Sequence, residues 1–309
     1  MIIKKTLKST VSIIAALLIF MLSITFYADR TNASNTSVEY IVFNAQTGEY
    51  LRSYTIDPLP ENVNSRAIIG SDDRVVDWSK SGVVKILAND GDGSGFCTGF
   101  VIDNHTIATA AHCLYNSKFH KGRSINDILL FNTNGDVTMH ATPIEFHLPK
   151  NYKENMDENR ENSFYNDYLN DYALITVQED LSSYACFNIG IATNNIFTCN
   201  PDVKISGFSA WDKNNTIVNT ENKHVLFTAE DNLKSITNEE EGQYIFFHIV
   251  DAMEGASGAP MYIEESRCGK TYYTVIGIHT GGMQNFNNFG TRMTTDLMQF
   301  YLNNGNLNY

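Results

Sequence analysis

Apolar residues in this chain come in short runs broken by glycine, asparagine and aspartate, at 83–87, 100–102, 128–131, 173–177, 203–205, 244–249, 261–263 and 272–278. Runs of this length between turn residues predict strands rather than long helices. Many such strands in one chain point to an all-β barrel or sandwich, and the pattern alone does not choose between them. One segment breaks the rule near the end. There Thr294 or Thr295 is placed to cap a helix carrying Leu297, Met298, Phe300 and Tyr301, with Gly305 just past its last turn.

The first residues follow a different pattern. Lys4, Lys5 and Lys8 precede an almost wholly apolar run at 11–27, and Thr31-Asn32-Ala33 offers small residues for cleavage, so 1–33 reads as a secretory signal. A retained anchor is the rival, because the run is at the lower edge of a membrane span. No later stretch is apolar for long enough to span, so the rest of the chain is expected to be exported, with no stable membrane association. Residues 34–66 are polar, broken at Pro58-Leu59-Pro60, and read as a propeptide, against the alternative of an uncut linker. The remaining 67–309 suffices for one two-lobed domain.

Charge and cysteine usage narrow the functional classes. A net charge of −13 without a basic stripe argues against nucleic acid as a partner. The insert at 154–167 is rich in Asn, Asp and Glu but has no ordered liganding pattern, so a solvated loop is expected rather than a calcium site. No metal and no cofactor is expected. Five cysteines in an exported chain permit disulfides and leave one over.

Three separated stretches carry candidate chemistry. Ser257, in Gly255-Ala256-Ser257-Gly258, has the small neighbours that suit an exposed nucleophile on a strained turn. A serine hydroxyl needs a general base and a third group to orient that base. His112 in Thr109-Ala110-Ala111-His112-Cys113 is the candidate base. Asp171, at the mouth of the apolar run 173–177, is the candidate orienting carboxylate. Asp167, also followed by tyrosine, is its rival, but only Asp171 leads directly into a buried strand.

These stretches, together with Ile69-Gly70-Ser71-Asp72-Asp73-Arg74, Cys97-Thr98-Gly99-Phe100-Val101-Ile102 and Val275-Ile276-Gly277-Ile278-His279-Thr280-Gly281-Gly282, resemble the chymotrypsin-fold serine proteases from about residue 67 to the end. Within these the chain is most similar to the bacterial glutamyl endopeptidases. The resemblance implies two six-stranded antiparallel β-barrels with a short C-terminal helix, a cleft between them, and a crossover at 180–200. It implies peptide-bond hydrolysis of protein or peptide substrates by a secreted monomer, with the N–H groups of Gly255 and Ser257 as the oxyanion hole. It pairs Cys97 with Cys113, leaving Cys186, Cys199 and Cys268 unsettled.

Maturation after Arg66 would free the amine of Ala67, where mature members of the family begin. The resemblance also places His279 in the primary pocket, donating to a glutamate carboxylate, with Ala252 standing where a threonine or serine is usual. Asp251, six residues before Ser257, keeps open the alternative of trypsin-like cleavage after arginine or lysine. Ala256 occupies the place of the aspartate that receives the new N-terminus in the trypsin branch, so activation by that salt bridge is not available. A remote alternative is an inactive secreted binding protein on the same fold.

Overall fold

Strands make up most of the described residues, as the short apolar runs require. The computed structural model describes residues 37–56, 75–89, 93–158, 170–184, 187–192, 201–212, 216–232, 245–248, 250, 252, 254–267, 269–282 and 288–305. Expectations concerning the signal at 1–33, the junction of Arg66 and Ala67, Asp167, Cys186, Cys199, Asp251 and Cys268 lie outside the described residues.

The first strands are β1 (Val38–Asn44), β2 (Tyr50–Ile56), β3 (Val75–Val76), β4 (Val83–Asn89), β5 (Ser94–Val101), β6 (Thr106–Thr109), β7 (Tyr115–Asn116), β8 (Lys121–Gly122), β9 (Ser124–Phe131), β10 (Val137–Ala141) and β11 (Pro143–Pro149). Helix α1 (Lys150–Asp157) follows, then β12 (Ala173–Val177), β13 (Phe187–Ile189), β14 (Asp202–Gly207), β15 (Phe227–Asn232), β16 (Ile245–His248), β17 (Pro260–Arg267), β18 (Lys270–Gly282) and β19 (Asn288–Arg292). Helix α2 (Thr295–Asn304) closes the series.

These elements form two β-barrels of chymotrypsin-like fold. In the first sheet β9-β4-β5-β6-β12-β11 is a six-stranded antiparallel path, extended by β10 at one end and by β1-β2 at the other. The second follows β16-β19-β18-β17-β14-β15, again six antiparallel strands, with β3 on its outer edge. β13 joins β18 in parallel, a departure from the all-antiparallel expectation. The chain leaves the first sheet after Val177 and enters the second at Phe187.

The terminal helix forms as the capping pattern predicts. The Thr294 hydroxyl accepts the Leu297 N–H at 3.2 Å, and Leu297, Met298, Phe300 and Tyr301 are buried. The acidic insert is less loop-like than expected, because its first part, through Asp157, is the end of α1. The larger surprise is the segment read as a polar propeptide, since 38–56 supplies two paired strands whose Tyr40, Ile41, Val42 and Phe43 are almost wholly buried.

Candidate active site

Strand pairing brings His112 and Asp171 together from positions far apart in sequence. β6 and β12 are antiparallel neighbours with Ala173 opposite Thr109. Past that pair, β6 runs into the 3-10 turn Ala111–Cys113, which carries His112, while Asp171 stands just ahead of β12. The two side chains therefore meet at the same end of the sheet. The Asp171 carboxylate is fully buried and fixed at both oxygens. Oδ1 accepts the His112 backbone N–H at 2.8 Å, and Oδ2 pairs with His112 Nδ1 at 2.7 Å.

Desolvation disfavours a charged imidazole here, yet the Asp171 charge and hydrogen bond outweigh it and hold His112 well above the ordinary histidine range. With Nδ1 engaged by the carboxylate, Nε2 is the nitrogen left for proton transfer.

The turn carrying Ser257 is shaped by two glycines with left-handed backbones, Gly255 at φ +95° and Gly258 at φ +85°. A β-carbon on Gly255 would come within 2.3 Å of Phe96 Cε2, and one on Gly258 within 2.1 Å of both Thr109 Oγ1 and the Thr98 carbonyl oxygen. Only glycine fits either place. Among the described residues, the N–H groups of Gly255 and Ser257 have no recorded acceptor, whereas Gly258 N–H donates to the His279 carbonyl at 2.8 Å. That leaves two donors of one turn available to an incoming oxygen.

Thr98, in the quoted Cys97-Thr98-Gly99 motif but assigned no role there, anchors this turn. Its N–H donates to the Ser257 carbonyl at 2.9 Å, and its hydroxyl donates to the Gly255 carbonyl at 2.9 Å while accepting the Phe208 N–H at 3.0 Å. Its own carbonyl accepts the Thr109 hydroxyl at 2.7 Å. A strand of the first barrel thus grips the turn that precedes the second barrel's β17. The sequence signal was the threonine between Cys97 and Gly99, which no local pattern marks as bonding across the cleft.

Ser257 lies half-buried at the tip of the turn, and no hydrogen bond is recorded between its hydroxyl and His112. Nε2 instead stands 3.9 Å from Cys113 Sγ. Such contacts are often long before substrate arrives.

Cys97 and Cys113, which the resemblance pairs, are both buried and carry free thiols in this structure. They are neighbours nonetheless, since burial and a hydrogen bond with Cys97 push the Cys113 thiol well up. The loop bearing His112 is held by strand pairing and the Asp171 bonds.

His279 lies on β18, buried, with its N–H on the Ala259 carbonyl at 2.9 Å. Its Nδ1 meets His248 Nε2 at 3.2 Å, a second buried histidine that the sequence patterns did not single out. Burial, with the charge on His112, lowers His279 to about 3, so its ring is neutral at physiological pH. Ala252 is half-buried, and Ala256 is buried beside Gly207. Among the described residues no cluster of three or more His, Cys, Asp and Glu side chains is arranged to hold a metal.

The two barrels, with half-buried His112 paired to fully buried Asp171 and a glycine-shaped turn carrying Ser257, have a chymotrypsin-like fold, and comparison with known proteins agrees with that fold. The profile of the trypsin family matches residues 77–296. The chain belongs to the trypsin family. Among solved structures it is similar to a Glu endopeptidase determined in complex with MPD, at 20% identity and a TM-score of 0.56, covering 77% of this chain and 98% of that one. It is also similar to the protease Anisep from Arthrobacter nicotinovorans, at 16% identity and a TM-score of 0.53, covering 74% of this chain and 97% of that one. At these identities the likeness concerns the fold. No curated protein matches the chain by sequence.

Proposed function

We propose that this trypsin-family chain is a secreted serine endopeptidase in which Ser257 attacks, His112 moves the proton and Asp171 orients the histidine. The observation that carries the reading is the two-point bond of Asp171 to His112, set beside the Gly255–Gly258 turn. As Ser257 Oγ bonds to the substrate carbonyl carbon, its proton passes to His112 Nε2, and the carbonyl oxygen takes up negative charge between the N–H groups of Gly255 and Ser257. The histidine then gives that proton to the leaving amine, and the carbon–nitrogen bond breaks. Water, deprotonated by the same nitrogen, then bonds to the acyl carbon, the bond from that carbon to Ser257 Oγ breaks, and the serine oxygen takes the proton back from His112.

For specificity we favour cleavage after glutamate, less readily aspartate. A neutral His279 placed against the nucleophile turn suits donation of one N–H to a carboxylate. For its Nε2 to carry that proton, Nδ1 must accept from His248 Nε2–H, and 3.2 Å permits this assignment. Ala252 provides no hydroxyl as a second donor, so the grip depends on His279 and on the amine of Ala67 if maturation follows Arg66.

The signal at 1–33, the cut after Arg66 and export remain part of this proposal. Among the described residues no helix is long and apolar enough to cross a membrane. Profiling of the purified secreted enzyme on a mixed peptide library tests the reading. Dominant cuts after glutamate are expected, and dominant cuts after arginine or lysine would hand the pocket to Asp251. Labelling by a serine-directed organophosphate is expected in the parent and absent in Ser257→Ala; an unlabelled parent would favour the inactive binding protein.

A further inference from the structure

The segment 38–56 lies ahead of the processing point proposed at Arg66, yet it is built into the first barrel. β1 pairs with β11 through five successive residues, from Tyr40 opposite Pro149 to Asn44 opposite Glu145, and β2 covers the far edge of β1. The turn between them reaches further. Ala45 donates its N–H to the Ile144 carbonyl at 3.1 Å and accepts the Ile125 N–H at 2.8 Å, so it ties β11 to β9 across the seam of the sheet.

Gly48 at the same turn has φ +71°, and a β-carbon there would meet the Gly122 carbonyl oxygen at 2.1 Å. This is the close approach of a docked turn, not of a trailing leader.

The side chains fill the core. Tyr40 stacks on Phe300 of α2 at 4.4 Å between ring centroids, and its hydroxyl meets that of Tyr172, the neighbour of Asp171, at 3.1 Å. Phe43 stacks on Phe146 of β11 at 5.1 Å. At the rim, Arg52 makes two 2.7 Å bonds to Glu145, Lys150 bonds Glu39 at 2.8 Å, and Tyr54 bonds His147 at 2.9 Å. Removing the hairpin would uncover Phe146, Tyr172 and Phe300 together and leave the β11 edge unpaired.

We infer that the β1-β2 hairpin is a permanent part of the folded enzyme, remaining bound as a non-covalent strand donor after any cut between 57 and 74. The inference rests on the maturation reading only in that such a cut is what separates the hairpin from the rest. Buried aromatic stacking and backbone pairing both survive cleavage of a distant peptide bond, and neither needs the covalent link.

The test uses the full exported chain carrying Ser257→Ala, with a recognition sequence for a site-specific protease placed between Pro60 and Arg66. After cutting, gel filtration and mass measurement are expected to find the hairpin peptide at one per remaining chain, and to find it still there after about a hundredfold dilution. A folded remainder eluting without the peptide would overturn the inference, as would loss of the peptide together with unfolding of the remainder. In the same cut chain Tyr40→Ala is expected to weaken retention by more than about tenfold. Arg52→Ala, which removes only an exposed ion pair, is expected to change it little. Equal retention in Tyr40→Ala and parent would also overturn the inference. Co-elution is read from mass and not from turnover, so a parent chain without peptidase activity would refute the catalytic reading and leave this one standing.

Discussion

Replacing Thr98 by valine keeps the side-chain shape and removes one hydroxyl, which makes it a sharp probe of how the two barrels share the site. In the structure that hydroxyl satisfies two buried groups, the Gly255 carbonyl at 2.9 Å and the Phe208 N–H at 3.0 Å. Leaving a buried polar group without a partner costs about 1–3 kcal/mol, so the pair amounts to roughly 2–4 kcal/mol of folding stability if the two losses partly overlap. For a domain of this size that corresponds to a fall in Tm of roughly 4–16 °C. Activity should fall further than stability explains, because the Gly255 carbonyl belongs to the turn whose N–H groups are proposed to hold the oxyanion. Loosening that turn is expected to lower kcat by about 10- to 100-fold with KM nearly unchanged. Thr98→Ser retains the hydroxyl and should keep kcat within about threefold, losing about 1 kcal/mol for the missing methyl group. Thermal denaturation and steady-state kinetics on a peptide ester measure both effects. A Thr98→Val enzyme with parental kcat, or one no worse than Thr98→Ser, would show that the cross-barrel bond does not shape the site.

Three further perturbations separate the remaining roles. His112 must be neutral to act as a base, and its pKa is raised, so kcat/KM should rise with pH through a limb above the ordinary histidine range; the stability contributed by the His112–Asp171 pair runs the opposite way, being full below the unfolded value of 6.5 and lost through the raised folded value. Asp171→Asn should move that limb downward and lower kcat by about 10⁴-fold, and an unmoved limb would assign the pKa to another group. Ser257→Ala should lower kcat by about 10⁵- to 10⁶-fold while changing stability by no more than about 0.5 kcal/mol, as judged by urea denaturation. Lys85 is fully buried, its Nζ bonded to Asn219 Oδ1 and to the Thr220 and Lys223 carbonyls and lying 4.2 Å from the Phe96 ring centroid, with burial lowering it to about 7. Between about pH 7 and 10.5 the unfolded chain binds the extra proton, so this lysine makes stability rise with pH over that window, and Lys85→Met should abolish that part of the slope in denaturation curves.

The chain's alternation of short apolar runs and turn residues determined the class of fold, because strand formation in a two-sided core needs little more than local pattern. The runs at 173–177 and 83–87 lie in β12 and β4, and the Thr294 cap and Gly305 stop bound α2. Glycines 255 and 258 marked the tight turn because no side chain fits there. What only the tertiary structure decided is everything that depends on partners far away in sequence. The segment 38–56 lies in a largely polar stretch, and although its run Tyr40-Ile41-Val42-Phe43 has strand character of its own, the partners that bury it, Phe146 on β11 and Phe300 on α2, come only from the closed barrel. That Cys97 and Cys113 lie side by side in the core likewise follows from how β5 and the turn after β6 pack, not from the spacing of the two cysteines along the chain. Thr98 and His248 carry no local mark of their contacts, because a hydrogen bond across a cleft or between two buried rings is set by how the sheets meet and not by the neighbours of either residue along the chain.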